Sequence, residues 1–222
     1  MEKQNVLDKS EIRNVHFIGI GGISMSGLAE ILLSLNYRIT GSDIRTSNNT
    51  KKLESKGIKI YKNHSEDNIK EVDLVVYTAA IKDDNPELAR AKELNIPLIK
   101  RSSLLGDICK KELNNIAVSR THGKTTTTSM IASIMLESEC NPTIHLGGIL
   151  KAINGSIKLG GSKYFVTEAC EYQGSFLEMN PYIGLILNIE NEHPDFFIDS
   201  EHIKDIFIKF ANQIKSDGSL VL

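Results

Sequence analysis

Twice within 222 residues a short β-branched run breaks at a glycine-bearing turn and resumes at helical spacing. The first instance is VHFIGI, Val15 to Ile20, continuing as GGISMSGLA. The second is NIAVS, Asn115 to Ser119, continuing as RTHGKTTTT. A strand that feeds a helix in this way returns the chain to the same edge of its sheet, so the next strand runs parallel. Further β-branched runs, YRIT, DLVVYT, YFVTEA and YIGLILNI, alternate with helical stretches, which predicts an α/β protein with a mostly parallel sheet. Leu28, Ile31, Leu32 and Leu35 recur at helical spacing and are expected on one buried face. Pro86 before Glu87-Leu88-Ala89-Arg90-Ala91 marks the first turn of another helix.

The polar interval CKKELNN, Cys109 to Asn115, separates the two strand-loop-helix units. It suggests two domains, 1–110 and 111–222. The end of the chain, DGSLVL, reads as a turn opening a further strand, as if the second domain stopped in mid-fold. Composition excludes several classes. With 41% apolar and 24% charged residues the chain can bury a core, and a net charge of −2 argues against a dedicated nucleic-acid binder. Cys109, Cys140 and Cys170 are odd in number and widely spaced, with no CxxC pair, which fits a reducing compartment rather than a disulfide framework. No apolar run approaches the roughly 20 residues of a membrane helix, so a cytoplasmic location with no membrane or nucleic-acid partner is expected.

The glycines at 19, 21 and 22 allow a tight turn, and the helix that follows points its free amides and positive dipole end toward an anion such as a diphosphate. Asp43, in Gly41-Ser42-Asp43 at the tip of the next strand, stands where an acid commonly holds a ribose hydroxyl. The same glycines would also serve a purely structural turn. In the second loop the general GxxxxGK[ST] form fails, because Val118 takes the first glycine position, and a shorter variant puts that glycine at Arg120. Lys124 and Thr125 nevertheless follow a strand and open a helix. That context suits lysine on polyphosphate and threonine on magnesium, so ATP is the expected ligand. Met130, Ile131, Ile134 and Met135 are expected to be the buried face of that helix. Arg120 would be strained if the position demands a positive φ, or would add charge if it is roomy; weakened ATP binding is the expectation. Glu168 and His193, each following a strand on the side of this loop, are candidate metal ligands.

Taken together, FIGIGGISMSGLAEILL, GSD, YTAAI, SRTHGKTTTT, TEACEYQGSFL and LNIENEHPDFF resemble the Mur ligases in order, over nearly the whole chain. The resemblance is greatest to members that join L-alanine to UDP-N-acetylmuramate. It implies a Rossmann-like UDP-binding domain followed by an incomplete P-loop ATPase-type α/β domain, with the family's last domain missing. It also implies an ATP-dependent, magnesium-requiring amide-forming ligase of peptidoglycan precursor synthesis, working through an acyl phosphate and weakly active or inactive at this length. By match, Gly19, Gly21, Gly22, Ser24, Met25, Ser42, Asp43, Thr78 and Ala79 would line the UDP-sugar site. Thr121, His122, Gly123, Lys124, Thr125 and Thr126 would cradle ATP, with Thr125, Glu168 and His193 on the metal and Lys124, Glu168 and His193 serving catalysis. Two departures stand out: Arg120 in place of a loop glycine, and Glu192, in Glu192-His193-Pro194, where aspartate usually precedes the histidine. The rival readings are a non-catalytic UDP-sugar-binding relative, an NAD-dependent oxidoreductase, and a ligase that attaches a preformed peptide.

Overall fold

The computed structural model describes residues 5–111, 114–120, 123–190, 196–197 and 199–222. The chain forms two compact units, Met1–Leu104 and Leu105–Leu222.

In the first unit, strand β1 (Asn14–Ile18) leads to helix α1 (Ile23–Ser34), then β2 (Arg38–Ser42), α2 (Asn48–Ser55), β3 (Lys59–Tyr61), β4 (Leu74–Tyr77), α3 (Pro86–Glu93) and β5 (Leu98–Lys100). Helix α4 (Arg101–Lys111) follows and carries the chain into the second unit. The sheet order is β3-β2-β1-β4-β5, with every pairing parallel. Successive strands are added on one side of β1 up to β3, and then on its other side from β4. The order therefore reverses beside β1, and the carboxyl ends of β1 and β4 frame the crevice where open α/β sheets bind ligands. Phe17, Ile18, Leu28, Leu32, Leu74, Val75 and Val76 are buried between sheet and helices. Leu35 departs from the expected stripe: it is the C-cap of α1 and is half exposed, because the helix ends before it turns inward. Two helix starts are well capped. Ser47 and Thr50 form a reciprocal capping box on α2, and Asn85 accepts from the Glu87 and Leu88 amides ahead of Pro86.

The second unit contains β6 (Asn114–Ser119), α5 (Lys124–Glu137), β7 (Thr143–Leu150), β8 (Gly155–Lys158), β9 (Tyr164–Glu168), β10 (Ile183–Ile186), α6 (Ser200–Ala211) and β11 (Ser219–Val221). The order is β11-β10-β6-β9-β7-β8; all pairs are parallel except the β7–β8 hairpin, so this sheet is mixed. Phe176 stacks on Phe210 at 4.6 Å and meets Phe207 edge-on at 5.3 Å, which fastens the 3-10 turn Tyr172–Glu178 to α6. The buried side of α5 differs from expectation. Thr128 and Ala132 are buried, and Ile131 and Met135 are partly buried against Ile116, Ile144 and Val166. Met130 and Ile134 instead lie on another ridge, 61% and 68% exposed. The helix is apolar on more than one side, and the side packed on the sheet is the one whose small residues allow close approach.

Candidate functional site

Glycine at 19 is required by geometry, because its φ of +83° lies in the left-handed region and its α-carbon backs onto Thr78. The turn is locked by the Ser42 carbonyl, which accepts from the Gly19 amide at 2.8 Å and the Ile20 amide at 3.1 Å. Asp43 completes the lock. One carboxylate oxygen accepts from the Gly21 amide at 2.8 Å, the other from the Arg45 amide at 2.9 Å. Gly22 then caps α1 with no side-chain hydrogen bond, leaving the first-turn amides to face outward. Thr78, half-buried, and Ala79, exposed, sit just beyond β4, next to the turn. Ser24 accepts from Arg101 at 3.1 Å. Met25 and Ser42 are buried, so their side chains belong to the core beneath the loop.

Beneath the loop lies a polar cluster that the sequence did not disclose. Glu87 of α3 is fully buried. One of its carboxylate oxygens accepts from Asn68 Nδ2 at 2.7 Å and lies 3.2 Å from His16 Nε2. The other accepts from Ser42 Oγ at 2.7 Å and lies 2.7 Å from His64 Nδ1. His16 continues the chain to Thr40 at 2.8 Å. Burial alone would raise the Glu87 pKa, but hydrogen bonds from His16, Ser42 and Asn68 outweigh it and hold the carboxyl below its ordinary 4.5. Ser42 joins the two levels: its hydroxyl rests on Glu87 while its carbonyl clamps the glycine turn.

The second loop is built differently. Gly123, with φ of +80°, is the left-handed N-cap of α5 and gives it no side-chain cap. Lys124 Nζ donates to the Arg120 carbonyl at 2.6 Å and to both oxygens of Glu171, at 2.8 and 3.0 Å. Glu171 is almost fully buried, so this ion pair is largely out of water. Glu168, at the end of β9, accepts from the Gly147 amide at 2.8 Å. The next residue, Gly148, lies so close to Thr125 that a β-carbon there would stand 2.9 Å from the threonine methyl. Thr125 and Glu168 are thus brought to neighbouring residues of β7, while Thr126 is exposed. A hydroxyl and a carboxylate are hard oxygen donors of the kind magnesium takes. Among the described residues no group of three or more His, Cys, Asp or Glu is placed to hold a metal ion. Thr121, His122 and His193 lie outside the described residues.

Arg120 is not among the residues with positive φ; the left-handed conformation falls on Gly123 instead. The strain anticipated for an arginine at this position is therefore absent. Its guanidinium folds over Gly123, with Nη1 at 2.7 Å from where a β-carbon on that residue would lie. Around the loop, Ser119 Oγ, Arg120 Nε and Asn188 Oδ1 are buried without hydrogen-bond partners among the described residues. Neither Glu171, within TEACEYQGSFL, nor Asn188, next to the end of YIGLILNI, stands in a local pattern that marks a role.

Two sheets, each with a strand-to-helix loop at the carboxyl end of an interior strand, define an α/β protein with two candidate anion-binding loops. Comparison with known sequences gives the family. Residues 14–112 match the description "Mur ligase family, catalytic domain" and residues 118–222 match "Mur ligase middle domain". The chain belongs to the Mur ligase family. It is 61% identical over 221 residues to a UDP-N-acetylmuramate--L-alanine ligase of Acetivibrio thermocellus, an alignment covering 100% of this chain and 47% of that protein. A protein of the same description from Clostridium novyi is 56% identical over 214 residues, 96% of this chain and 47% of the relative. The chain spans about half the length of these curated relatives. Among solved structures, the UDP-N-acetylmuramate-alanine ligase of Thermotoga maritima superposes with a TM-score of 0.84 at 34% identity, covering 90% of this chain and 47% of that one. The UDP-N-acetylmuramate:L-alanyl-gamma-D-glutamyl-meso-diaminopimelate ligase of Neisseria meningitides gives 0.86 at 27% identity, covering 94% and 70%.

Proposed function

We propose that this chain supplies the UDP-sugar-binding and ATP-binding parts of a ligase that joins L-alanine to UDP-N-acetylmuramate. The observation that carries the reading is the pairing of two differently built anion loops in one chain that is 61% identical to a ligase of that description. The loop at Gly19 to Gly22, held by Ser42 and Asp43, leads into the uncapped first turn of α1, whose amides suit a diphosphate already linked to a sugar. The lysine-bearing loop at Gly123 to Thr126 suits a polyphosphate that has to react.

In the reaction proposed, a substrate carboxylate oxygen attacks the γ-phosphorus of ATP, the bond to ADP breaks, and ADP leaves. The amine of L-alanine then attacks the acyl carbon, phosphate departs, and the nitrogen loses a proton. The obstacle is repulsion between a carboxylate and a polyphosphate, so the chain's task is placement and neutralisation rather than side-chain nucleophilic attack. The α5 amides and Lys124 would hold the phosphates, and Thr125 and Glu168, joined by His193, would hold magnesium. Bound magnesium would neutralise phosphate charge during transfer. The boundary near residue 110 and a cytoplasmic location belong to the same proposal; among the described residues no helix is long and apolar enough to cross a membrane.

Attachment of a preformed peptide is the second reading, motivated by the similarity to the Neisseria ligase; the higher identity to alanine ligases favours alanine. The test is calorimetric titration of the 222-residue chain with UDP-N-acetylmuramate, ATP plus magnesium, and NAD. Saturable binding of the first two and none of NAD is expected, without L-alanine-dependent release of ADP. Binding of NAD alone would replace the ligase reading with that of an oxidoreductase.

A further inference from the structure

We infer that Arg120 is a phosphate-binding cation of the second loop, acting beside Lys124 rather than obstructing the site. The inference rests on the ATP reading of that loop and goes beyond it, because the shorter form of the loop places a glycine, not a cation, at this position.

Three observations converge. First, the backbone at Arg120 is unstrained, and the left-handed turn that such a loop needs is made by Gly123. An arginine side chain there therefore meets no left-handed backbone. Second, the loop's other cation is already engaged: Lys124 Nζ lies 2.8 and 3.0 Å from the oxygens of the buried Glu171. That pair is close to neutral, so it attracts an incoming polyphosphate less than a lone lysine would. Third, the Arg120 guanidinium rests against Gly123 at the N-terminus of α5, a helix end with no side-chain cap.

A guanidinium placed on the positive end of a helix dipole is repelled unless an anion sits between them. The buried donors repeat that demand. Arg120 Nε has no acceptor among the described residues, and neither does the hydroxyl of Ser119, a residue fully buried at the end of β6 directly before it. Two unsatisfied donors on consecutive residues, the second with its guanidinium against an open helix start, need acceptor oxygens. The nearby Glu171 carboxylate is already taken by Lys124. Phosphate oxygens meet the need, and arginine's planar fork matches them better than a second lysine would.

The test is ATP affinity, with magnesium, of the 222-residue chain carrying Arg120→Gly, Arg120→Gln or Arg120→Lys, each checked by melting curve and by UDP-N-acetylmuramate binding. Loss of a charged hydrogen bond predicts roughly ten-fold weaker ATP binding for Gly and for Gln, partial recovery for Lys, and a smaller difference from the parent at high salt. Unchanged or tighter ATP binding by Arg120→Gly or Arg120→Gln would overturn the proposal while leaving the ATP reading standing. Failure of parent and variants alike to bind ATP, with UDP-N-acetylmuramate still bound, would instead overturn the ATP reading and this proposal with it.

Discussion

The two strand-to-helix loops, the proposed anion sites, are held in opposite ways. At Gly19 to Gly22 the protein satisfies itself: the Ser42 carbonyl and Asp43 hold the turn, and Glu87 with His16, His64 and Asn68 supports Ser42 from below. At Gly123 to Thr126 it does not: Lys124 is held in a buried ion pair with Glu171, while among the described residues donors on Ser119 and Arg120 and an acceptor on Asn188 have no partner. A loop fastened by internal hydrogen bonds is rigid before its ligand arrives, whereas one with buried unmatched polar atoms gains part of its stability from the ligand. The first site is therefore expected to be preformed and the second to be stabilised by what it binds.

The sharpest way to break this contrast is Lys124→Ala, which strands the buried Glu171 carboxylate. A loss of roughly 3 kcal/mol is expected in the urea-monitored stability of the second unit, together with loss of ATP binding and no change in UDP-N-acetylmuramate binding. Next in size is Glu87→Gln, which removes the charge accepting from Ser42 and Asn68. It should cost about 2 kcal/mol at neutral pH and weaken binding of UDP-N-acetylmuramate but not of ATP. Because the folded pKa of Glu87 is depressed, its contribution is fully present above 4.5 and disappears as pH falls through the lowered value. Acid titration of stability should show that decline in the parent and not in Glu87→Gln. A smaller effect, about 1 kcal/mol, is expected from Asp43→Asn, which weakens the acceptor for the Gly21 amide; UDP-N-acetylmuramate calorimetry would register the loosened turn. Smallest is Gln173→Gly. Gln173, two residues after Glu171, has a φ of +53°. Relieving it should raise thermal stability by about 0.5 kcal/mol and leave both affinities in place, provided the turn only carries Glu171.

What was legible in the sequence follows the same division. Strands β1, β2, β4, β6, β9 and β10 stand out as β-branched runs, and the turn-then-strand ending in DGSLVL corresponds to β11. Strands β3 and β5 have three residues each, too few for an alternation to register, and β7 is interrupted by Gly147 and Gly148, which depress strand propensity while admitting Glu168 and Thr125. Both loops were visible because their chemistry is local. The groups that complete them were not. Glu87 meets His16 across 71 residues and Lys124 meets Glu171 across 47, and no spacing rule reaches that far. Of the two possibilities the sequence leaves for Arg120, strain from a positive φ does not arise, because the left-handed residue of the loop is Gly123; its effect on ATP affinity is what the Arg120 variants measure. On α5, of the four residues expected inside, Ile131 and Met135 pack and Met130 and Ile134 do not, because apolar residues line two ridges and only the sheet decides between them.

The most direct test of the central claim is a paired titration of the 222-residue chain and its Lys124→Ala variant with UDP-N-acetylmuramate and with ATP plus magnesium. Two independent saturable sites are predicted in the parent, with only the ATP site lost in the variant. Undiminished ATP binding by Lys124→Ala, or competition between the two ligands for a single site, would contradict the account.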